Sequence, residues 1–543
     1  MPSPPTFLFD MMKAKDVELQ DVRLGHEHEQ LPNVEEVRTT HVVRHDVCSK
    51  KRHIVGLAGI LLLIIAIAVL GVSVQSKNRK QQNSVATDSD RLELVIEFLG
   101  QHSDSDALDD PNSAQFKAAR WMALEDAKQL PLFPIVSHRF LQRYALATIY
   151  FSTGGENWLY DLKFASPKRD ECHWNHKFRQ SHGASYDLGV GCDSDNQVTS
   201  VVIDAMGLVG TLPPELSLLT NLQLLSLHSN SLSGAIPNLH AMSKLEWLTL
   251  TANNFSTKLP TWLGNLRSLV ALGLSSNNFK GTIPTEFQSM TSLKTLVLDD
   301  NVLSGNLNVI EQMTWLESLY LQSNHFTGTL ANDFLGGLKG LEVLNLSNNL
   351  LKGKLPRGLF RQTALTVLNL ADNSLTGKIP VDVPISTTLK ILAIQDNQMT
   401  GTIPPSIQNL VNLQQLDVSS NQMHGDIPTI LGSLSKMISL SLSDNDFIAA
   451  AIPPFLRSMP LLRELSLRNT GLIGKIPPWV GLDFSSLVFL DFDNNALTGS
   501  VPTQVASLQK LEYLFLSRNA LTGTLPLKMP EMLNLCKLKP DHQ

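Results

Sequence analysis

A motif that returns along most of the chain constrains the fold more than any other feature. Residues 368–380 read LNLADNSLTGKIP, and close copies stand on either side, LNLSNNLLKGKLP and LAIQDNQMTGTIP. The shared template is L-x-x-L-x-L-x-x-N-x-L-x-G-x-I/L-P, and its copies are spaced by 23 to 25 residues. Such self-similarity predicts a stack of repeats. Twelve of the 14 asparagine slots hold asparagine: Met206, Asn230, Asn253, Asn277, Asn301, Asn324, Asn349, Asn373, Asn397, Asn421, Asn445, Thr470, Asn495 and Asn519.

Each part of the motif has a physical reason. Leu368 and Leu370 flank Asn369 with a period of two, which predicts a short strand with both leucines on one face. One strand cannot bury them alone, so stacked copies must close a continuous core as a parallel sheet. Asn373 follows at a turn, where its amide can bond backbone groups of its own and adjacent turns. Gly377 permits the next tight bend, and Pro380 fixes φ after it.

The ending L-x-G-x-I-P resembles the plant-type class of leucine-rich repeats, found in receptor-like proteins, receptor kinases and polygalacturonase-inhibiting proteins. The resemblance covers residues 198–526. CHW at 172–174 and GVGC at 189–192 are similar to the N-terminal cap of that family, which implies a Cys172–Cys192 disulfide. The stretch FKAARWMALEDAKQL … LQRYALATIYFSTGGENW is similar to membrane-anchored leucine-rich repeat proteins of diatom-type algae.

Several copies depart from the template. Repeats five and six have Asn308 and Ala331 in place of proline, repeat three has Thr257 in place of glycine, and AAA is inserted at 449–451. We expect the outer face to be irregular at these points.

The uncharged run of 21 residues at 54–74 is long enough for a helix across a hydrocarbon core of about 30 Å. It favours a signal anchor over a cleaved signal peptide, whose apolar stretch begins closer to the start of a chain and is shorter. Charges on the two flanks are nearly balanced, so they do not settle the orientation. The extracellular side is favoured for the repeats by the cap cysteines and by two glycosylation sequons, although an endomembrane lumen is also compatible.

The predicted fold is an α/β solenoid: a curved leucine-rich repeat array with a parallel concave β-sheet, a helical N-terminal cap region and one transmembrane helix. Apolar spacing predicts three amphipathic helices over 91–100, 116–130 and 138–151, the last stopped at Gly154 and Gly155. The predicted order is a disordered cytoplasmic tail (1–53), the transmembrane signal anchor (54–74), a polar linker (75–90), the helical region with the cysteine-containing cap (91–197), 14 repeats (198–526) and a C-terminal tail (527–543).

Composition narrows the function. A net charge of −6 argues against a nucleic-acid partner. Four cysteines are too few for a disulfide scaffold, and the histidines of residues 1–53 lack the spacing of a metal site. The sequence has no phosphate loop, GxSxG, HExxH or CxxC motif. We therefore expect no catalytic activity, cofactor or metal.

Function is then expected at strand positions that face away from the leucine core. The predicted ligand-binding residues on the concave face are Trp247, Asp299, Asp300, Tyr320, Asp372, Asp396, Phe489, Tyr513 and Phe515. Further acids of this face are Asp417, Asp444, Asp491 and Asp493, with Arg463, Arg468 and Arg518 near its end. The resemblance also offers another explanation of the acids, since members of that family commonly carry aspartate at these positions. The sequons are Asn254-Phe-Ser and Asn345-Leu-Ser, both at positions that the template exposes.

These features predict a single-pass cell-membrane protein, receptor-like or adhesive, whose extracellular solenoid binds a protein, peptide or glycan. Any signal would pass through a co-receptor. Two alternatives stay open: a tethered enzyme inhibitor or wall-associated binding protein, and an intracellular scaffold.

Overall fold

The computed structural model describes residues 88–131, 138–179 and 185–526. By contact they fall into two units: residues 88–93, 179, 185 and 186 belong to one, and the other described residues belong to the second. Of the first unit the structure describes the start of one helix and the tips of two strands, which are named below only with the elements that contain them. The predicted tail, anchor and C-terminal tail (1–53, 54–74 and 527–543) lie outside the described residues, as does most of the linker.

Helices occupy the region before the repeats, where apolar spacing predicts them. They are α1 (Asp88–Leu99), α2 (Ser105–Asp109), α3 (Ala114–Arg120), which continues as a π-helical turn at Trp121–Glu125, and α4 (His138–Ser152). Ser113 caps α3 by accepting the N–H of Phe116. Gly154, with φ of 69°, follows α4 and provides the predicted stop. A short α5 (Trp479–Asp483) stands late in the repeats.

Strands are numbered in chain order, and the main sheet takes β1, β2 and the odd-numbered strands. Within residues 185–526 each predicted repeat contributes one strand, paired in parallel with its neighbours; β2 and β3 alone run antiparallel there. The main-sheet strands are β1 (Asn175–Arg179), β2 (Ser185–Cys192), β3 (Val198–Val202), β5 (Leu224–Ser226), β7 (Trp247–Thr249), β9 (Ala271–Gly273), β11 (Thr295–Val297), β13 (Ser318–Tyr320), β15 (Val343–Asn345), β17 (Val367–Asn369), β19 (Ile391–Ala393), β21 (Gln415–Asp417), β23 (Ser439–Ser441), β25 (Glu464–Ser466), β27 (Phe489–Asp491) and β29 (Tyr513–Phe515).

Second strands of two to five residues, one in each repeat, follow the main-sheet strands and pair with their counterparts in adjacent repeats, except at two breaks. They are β4 (Val209–Thr211), β6 (Ser231–Gly234) and β8 (Asn254–Phe255) in one sheet, β10 (Lys280–Gly281), β12 (Val302–Gly305), β14 (His325–Thr329), β16 (Leu350–Lys354), β18 (Ser374–Gly377), β20 (Gln398–Gly401), β22 (Gln422–Gly425) and β24 (Asp446–Phe447) in a second, and β26 (Ile473–Lys475), β28 (Ala496–Gly499) and β30 (Ala520–Leu521) in a third.

The breaks between these sheets lie where the template is broken. Thr257 stands between β8 and β10, and the inserted alanines 449–451 stand between β24 and β26. At both places a single isolated bridge, Lys258 to Lys280 and Ala450 to Leu472, replaces the ladder. The expected irregularity is thus confirmed there.

The return path of most repeats carries a 3₁₀ turn begun by the template proline. These turns, together with two in the cap, are Gly155–Asn157, Glu171–His173, Pro214–Leu218, Thr261–Asn265, Thr285–Ser289, Ile310–Gln312, Arg357–Arg361, Pro405–Asn409, Thr429–Ser433, Pro454–Ser458 and Thr503–Ser507. Repeat five, which lacks the proline, keeps only the three-residue turn Ile310–Gln312. The 3₁₀ turn of this repeat is thus two residues shorter than the five-residue turns that follow the template proline.

The asparagine slots form the expected ladder. Asn373 donates its amide to the carbonyl oxygens of Leu346, Leu370 and Ala371 at 3.0, 3.2 and 2.9 Å. Its Oδ1 accepts the N–H of Leu351, in the preceding repeat, at 3.0 Å. One side chain thus satisfies backbone groups of two successive turns, and the copies do the same along the array.

A buried ionic cluster holds the cap together. Arg143 of α4 is fully buried and donates to both oxygens of Asp126 at 2.8 Å and to Glu171 at 3.0 Å. Its guanidinium also lies over the rings of Trp121 and Trp174, 5.1 and 4.7 Å from their centroids. Asp126 has extended backbone, which ends the helix that the sequence predicts to reach residue 130.

The predicted disulfide is confirmed. Cys172 and Cys192 are bonded, with their Cα atoms 5.5 Å apart. Cys172 follows Glu171, so the covalent link and the ionic cluster meet in the cap.

Candidate functional site

The face of the main sheet that points away from the leucine core is named here the open face. On β17, Leu368 points into the core and is fully buried, while Val367 and Asn369 flank it on the open face. In the ladder Val367 pairs with Val343 and Ile391, and Asn369 pairs with Asn345 and Ala393. The open face is therefore two rows of side chains running across the strands.

Side chains of adjacent strands close the middle of the open face. Val343, Val367 and Ile391 form one buried row over β15, β17 and β19. Asn345 is 3% exposed, and its Oδ1 accepts the N–H and hydroxyl of Ser347 at 3.1 and 2.8 Å. The expected exposure of this sequon is wrong, because strand neighbours only about 4.8 Å away cover it.

Two of the predicted ligand-binding residues are also buried. Tyr320 is 2% exposed and lies between Val297 and Asn345 of the adjacent strands. Asp299 is 1% exposed, and its backbone carbonyl accepts the N–H of Ser276 at 3.0 Å. The expectation that both face solvent is wrong, because the repeat pattern identifies the face but not its coverage by neighbouring repeats.

Three predicted acids lie at the left-handed turn after the strands. Asp300, Asp372 and Asp396 have φ of 52°, 51° and 53° and are exposed. Short polar side chains tolerate this backbone conformation better than most. Their positions are set by the turn of each repeat, and they stand in separate repeats along one edge of the open face.

The predicted aromatics other than Tyr320 are half-buried, and three of them meet. Phe489 of β27 pairs in register with Tyr513 of β29, and the ring centroids are 6.2 Å apart. Phe515 lies 5.6 Å from Phe489. We call Phe489, Tyr513 and Phe515 the C-terminal aromatic cluster. Trp247 stands apart from it on β7, near the other end of the sheet.

A carboxylate lies beside this cluster. Asp491, the last residue of β27, pairs in register with Phe515 on one side and Ser466 on the other, and it is 9% exposed. Burial, together with the nearby charge of Asp493, raises the pKa of Asp491 from 3.8 to about 6. Arg468 opposes the shift, and its Nε lies 3.7 Å from Asp444.

The other end of the open face holds a second buried carboxylate, which sequence reasoning missed. Asp204 accepts the hydroxyl of Ser226 at 2.6 Å and the backbone N–H of His228 at 3.0 Å. The His228 Nε2 atom lies 3.2 Å from its other oxygen. A signal was present, since aspartate and histidine occupy the same template slot in successive repeats.

Comparisons with known proteins agree with this architecture. The model of a family described as "Leucine-rich repeat region" matches residues 197–447. The receptor-like kinase TMK2 of Arabidopsis thaliana is 26% identical over 241 residues, which cover 34% of this chain and 27% of the kinase. The chain thus spans about a quarter of that relative.

Two solved ectodomains share the fold. The ectodomain of the Arabidopsis receptor kinase HAESA, in complex with an extended IDA peptide hormone, matches with a TM-score of 0.63 and 30% identity, over 76% of this chain and 65% of the other. The plant peptide hormone receptor RGFR1, in complex with RGF2, matches with a TM-score of 0.52 and 28% identity, over 62% of this chain and 57% of the other.

Two of the predictions are not tested by these matches. Among the residues that the structure describes, no helix combines the length and apolarity needed to span a bilayer, and the predicted anchor at 54–74 is not among them. The resemblance of the helical region to algal proteins stays a prediction. Residues 197–447 match the leucine-rich repeat model, and the solenoid that contains them is similar to the ectodomains of plant receptor kinases.

Proposed function

We propose that this chain is a membrane-anchored receptor-like or adhesion protein that binds a protein, peptide or glycan through the C-terminal aromatic cluster. Residues 54–74 anchor it, and the solenoid lies outside the cytosol. It has no catalytic activity of its own, and a co-receptor carries any signal.

The aromatic cluster is the observation that carries this proposal. Phe489, Tyr513 and Phe515 are half-buried and keep part of their rings in water, whereas the middle strands β15 and β17 bury their open-face side chains. Grouped, partly exposed aromatic rings next to buried polar atoms are typical of the residues that dominate binding energy at interfaces. The middle of the open face offers no comparable apolar surface.

The topology is supported by the cap. A disulfide such as Cys172–Cys192 forms and persists in oxidising compartments rather than in the cytosol. This favours an extracellular or endomembrane solenoid over an intracellular scaffold. Protease treatment of intact cells checks it: we expect the repeats to be cleaved, whereas complete protection without glycosidase-sensitive mass contradicts a cell-surface location.

A peptide is the first ligand class to test. Both ectodomains described above are in complex with peptide hormones. They differ from this chain at about 70% of aligned positions, so their ligands suggest a class and not an identity.

The test is a binding panel on the full-length protein in detergent micelles, with extracellular peptides, oligosaccharides and proteins as probes. For any probe that binds, Phe489→Ala should lower the affinity at least about fivefold, since truncating an interface aromatic removes more than about 1 kcal/mol. Trp247→Ala is the matched control, because it truncates a half-buried aromatic near the other end of the same face. Equal losses in both variants, or no binding at all, contradict the proposal. Capture of an active enzyme with loss of its activity would favour the tethered inhibitor.

A further inference from the structure

The surroundings of Asp491 distinguish it from the other polar groups of the open face. Its Oδ1 accepts the N–H of Asp493 at 2.9 Å, and its Oδ2 has a long contact of 3.4 Å with the Ser466 hydroxyl. An ionised carboxylate offers about four acceptor positions. A buried carboxylate with so few donors is costly, and the raised pKa of Asp491 has the same cause.

Asp493 adds a second incomplete acceptor. Its Oδ1 is buried and has no hydrogen-bond partner among the described residues. The charged groups that act on Asp491 are Asp493 on its own chain segment and Arg468 after the neighbouring strand β25. Arg468 is shared with Asp444, so the positive charge near the two carboxylates is divided. On the other side β29 supplies Tyr513 and Phe515.

Two aromatic residues lie beside Asp491 on the open face. Phe489 precedes Asp491 by two residues on the same face of β27, and Phe515 pairs with Asp491 across the ladder. Ring faces carry negative electrostatic potential and attract cations, most strongly where water is excluded. Carboxylates form their strongest hydrogen bonds with charged donors. Both features favour the same occupant: a cation that also donates hydrogen bonds.

We propose that Asp491, Asp493 and the C-terminal aromatic cluster together bind a basic side chain, arginine or lysine, of a peptide ligand. This inference rests on the proposed function and names the chemistry of the ligand. A guanidinium or ammonium group supplies the missing donors, neutralises the buried charge and packs against the rings. A neutral sugar could stack on the same rings and donate hydroxyl protons, but it would leave the carboxylate charge uncompensated.

The test uses the full-length protein in detergent micelles and pools of fluorescein-labelled octapeptides. One position is fixed as arginine, lysine, glutamate or citrulline, which has the shape of arginine without its charge, and the other positions are mixtures. At about pH 7.5 we expect arginine and lysine pools to bind about tenfold more tightly than citrulline pools. The preference should shrink at about pH 5, where Asp491 becomes protonated.

Asp491→Asn keeps the shape of the side chain and removes its charge, so it should abolish the preference for basic pools. Its melting temperature, equal to or above that of the wild type, shows that it folds. Asp446→Asn is the matched control, an exposed acid at the start of β24 and outside the open face, and it should keep the preference.

Equal binding of arginine and citrulline pools, or an unchanged preference in Asp491→Asn, overturns this inference and leaves the proposed function standing. Binding of oligosaccharides alone overturns it in favour of a glycan ligand. Absence of binding in every panel overturns both proposals.

Discussion

Asp204 and Asp491 stand near opposite ends of the open face, and both are nearly inaccessible, at 8% and 9% exposure. Asp204 accepts hydrogen bonds from the Ser226 hydroxyl and the His228 N–H, and the His228 Nε2 atom lies 3.2 Å from its other oxygen. Asp491 has one short bond and one long contact, and Phe515 is its partner on the adjacent strand. The two side chains are buried to nearly the same extent, but Asp204 has closer hydrogen-bond donors than Asp491. A polar side chain on this face therefore depends on adjacent repeats for its hydrogen-bond donors. Where these donors are too few, as at Asp491, a donor from a ligand is favoured.

The asparagines of the ladder extend this comparison, because each of them makes more hydrogen bonds to the backbone than Asp204 does. Asn373→Leu should leave three carbonyl groups and one N–H without their amide partner, at about 1–3 kcal/mol for each group that water cannot reach. This is the largest expected loss, and it should broaden or split the unfolding transition because coupling to both neighbouring repeats weakens. Circular dichroism during thermal and denaturant unfolding measures both effects.

Ser374→Ala is the control for the ladder. Ser374 is half-buried at the start of β18, and its change should stay within about 0.5 kcal/mol. If the two variants melt alike, the register assigned to the ladder is wrong.

At the N-terminal end, Asp204→Leu should strand the Ser226 hydroxyl and the His228 N–H. Two groups are affected rather than four, so we expect a smaller loss, about 1–3 kcal/mol for each. Denaturant unfolding at neutral pH measures it. Asp446→Leu, at an exposed position of β24, should change stability by less than about 0.5 kcal/mol. If Asp204→Leu left the free energy of unfolding unchanged, the contrast between the two carboxylates would be lost.

At the C-terminal end of the open face, we expect removal of the carboxylate charge to raise the stability of the fold instead of lowering it. The pKa of Asp491 in the folded protein, about 6, lies above its ordinary value of 3.8, so ionisation costs the folded state stability as pH rises between these values. Asp491→Asn escapes that cost. It should be more stable than the wild type by about 3 kcal/mol at about pH 7.5 and nearly equal to it below about pH 4. Unfolding midpoints at the two pH values check this, and a destabilised variant at neutral pH would show that Asp491 is compensated after all.

The two glycosylation sequons differ in exposure, and we expect their modification to have the smallest effect on folding. Asn254 is exposed at the start of β8, whereas Asn345 is buried and bonded to Ser347. We expect a glycan on Asn254 and none on Asn345 in protein expressed through a eukaryotic secretory pathway. Peptide mapping before and after glycosidase treatment decides it, and a glycan on Asn345 would contradict the closed middle of the open face.

Much of the fold is predictable from the sequence because its determinants are local. The leucine period places the strands, and the asparagine slot places the turns. Thr257 and the inserted alanines 449–451 mark the places where the outer sheets break. These features depend on residues within one repeat or its immediate neighbour.

Burial on the open face is not predictable in the same way. Tyr320, Asp299 and Asn345 occupy slots that the template exposes, and side chains of adjacent strands cover them. The Arg143 cluster is similarly hidden, because Asp126 and Glu171 come from separate segments that only the folded cap brings together. Asp491 stands among eight acids of this face, and only its structural neighbours set it apart.

The central claim is that ligand recognition occurs at the C-terminal aromatic cluster, and hydroxyl-radical footprinting tests it most directly. The full-length protein is exposed to radicals with and without a saturating ligand from the binding panel, and side-chain oxidation is read by mass spectrometry. We predict that oxidation of Phe489, Tyr513 and Phe515 falls on binding while that of Trp247, half-buried near the other end of the same face, stays constant. Protection of Trp247 with no change at the three rings would contradict the claim.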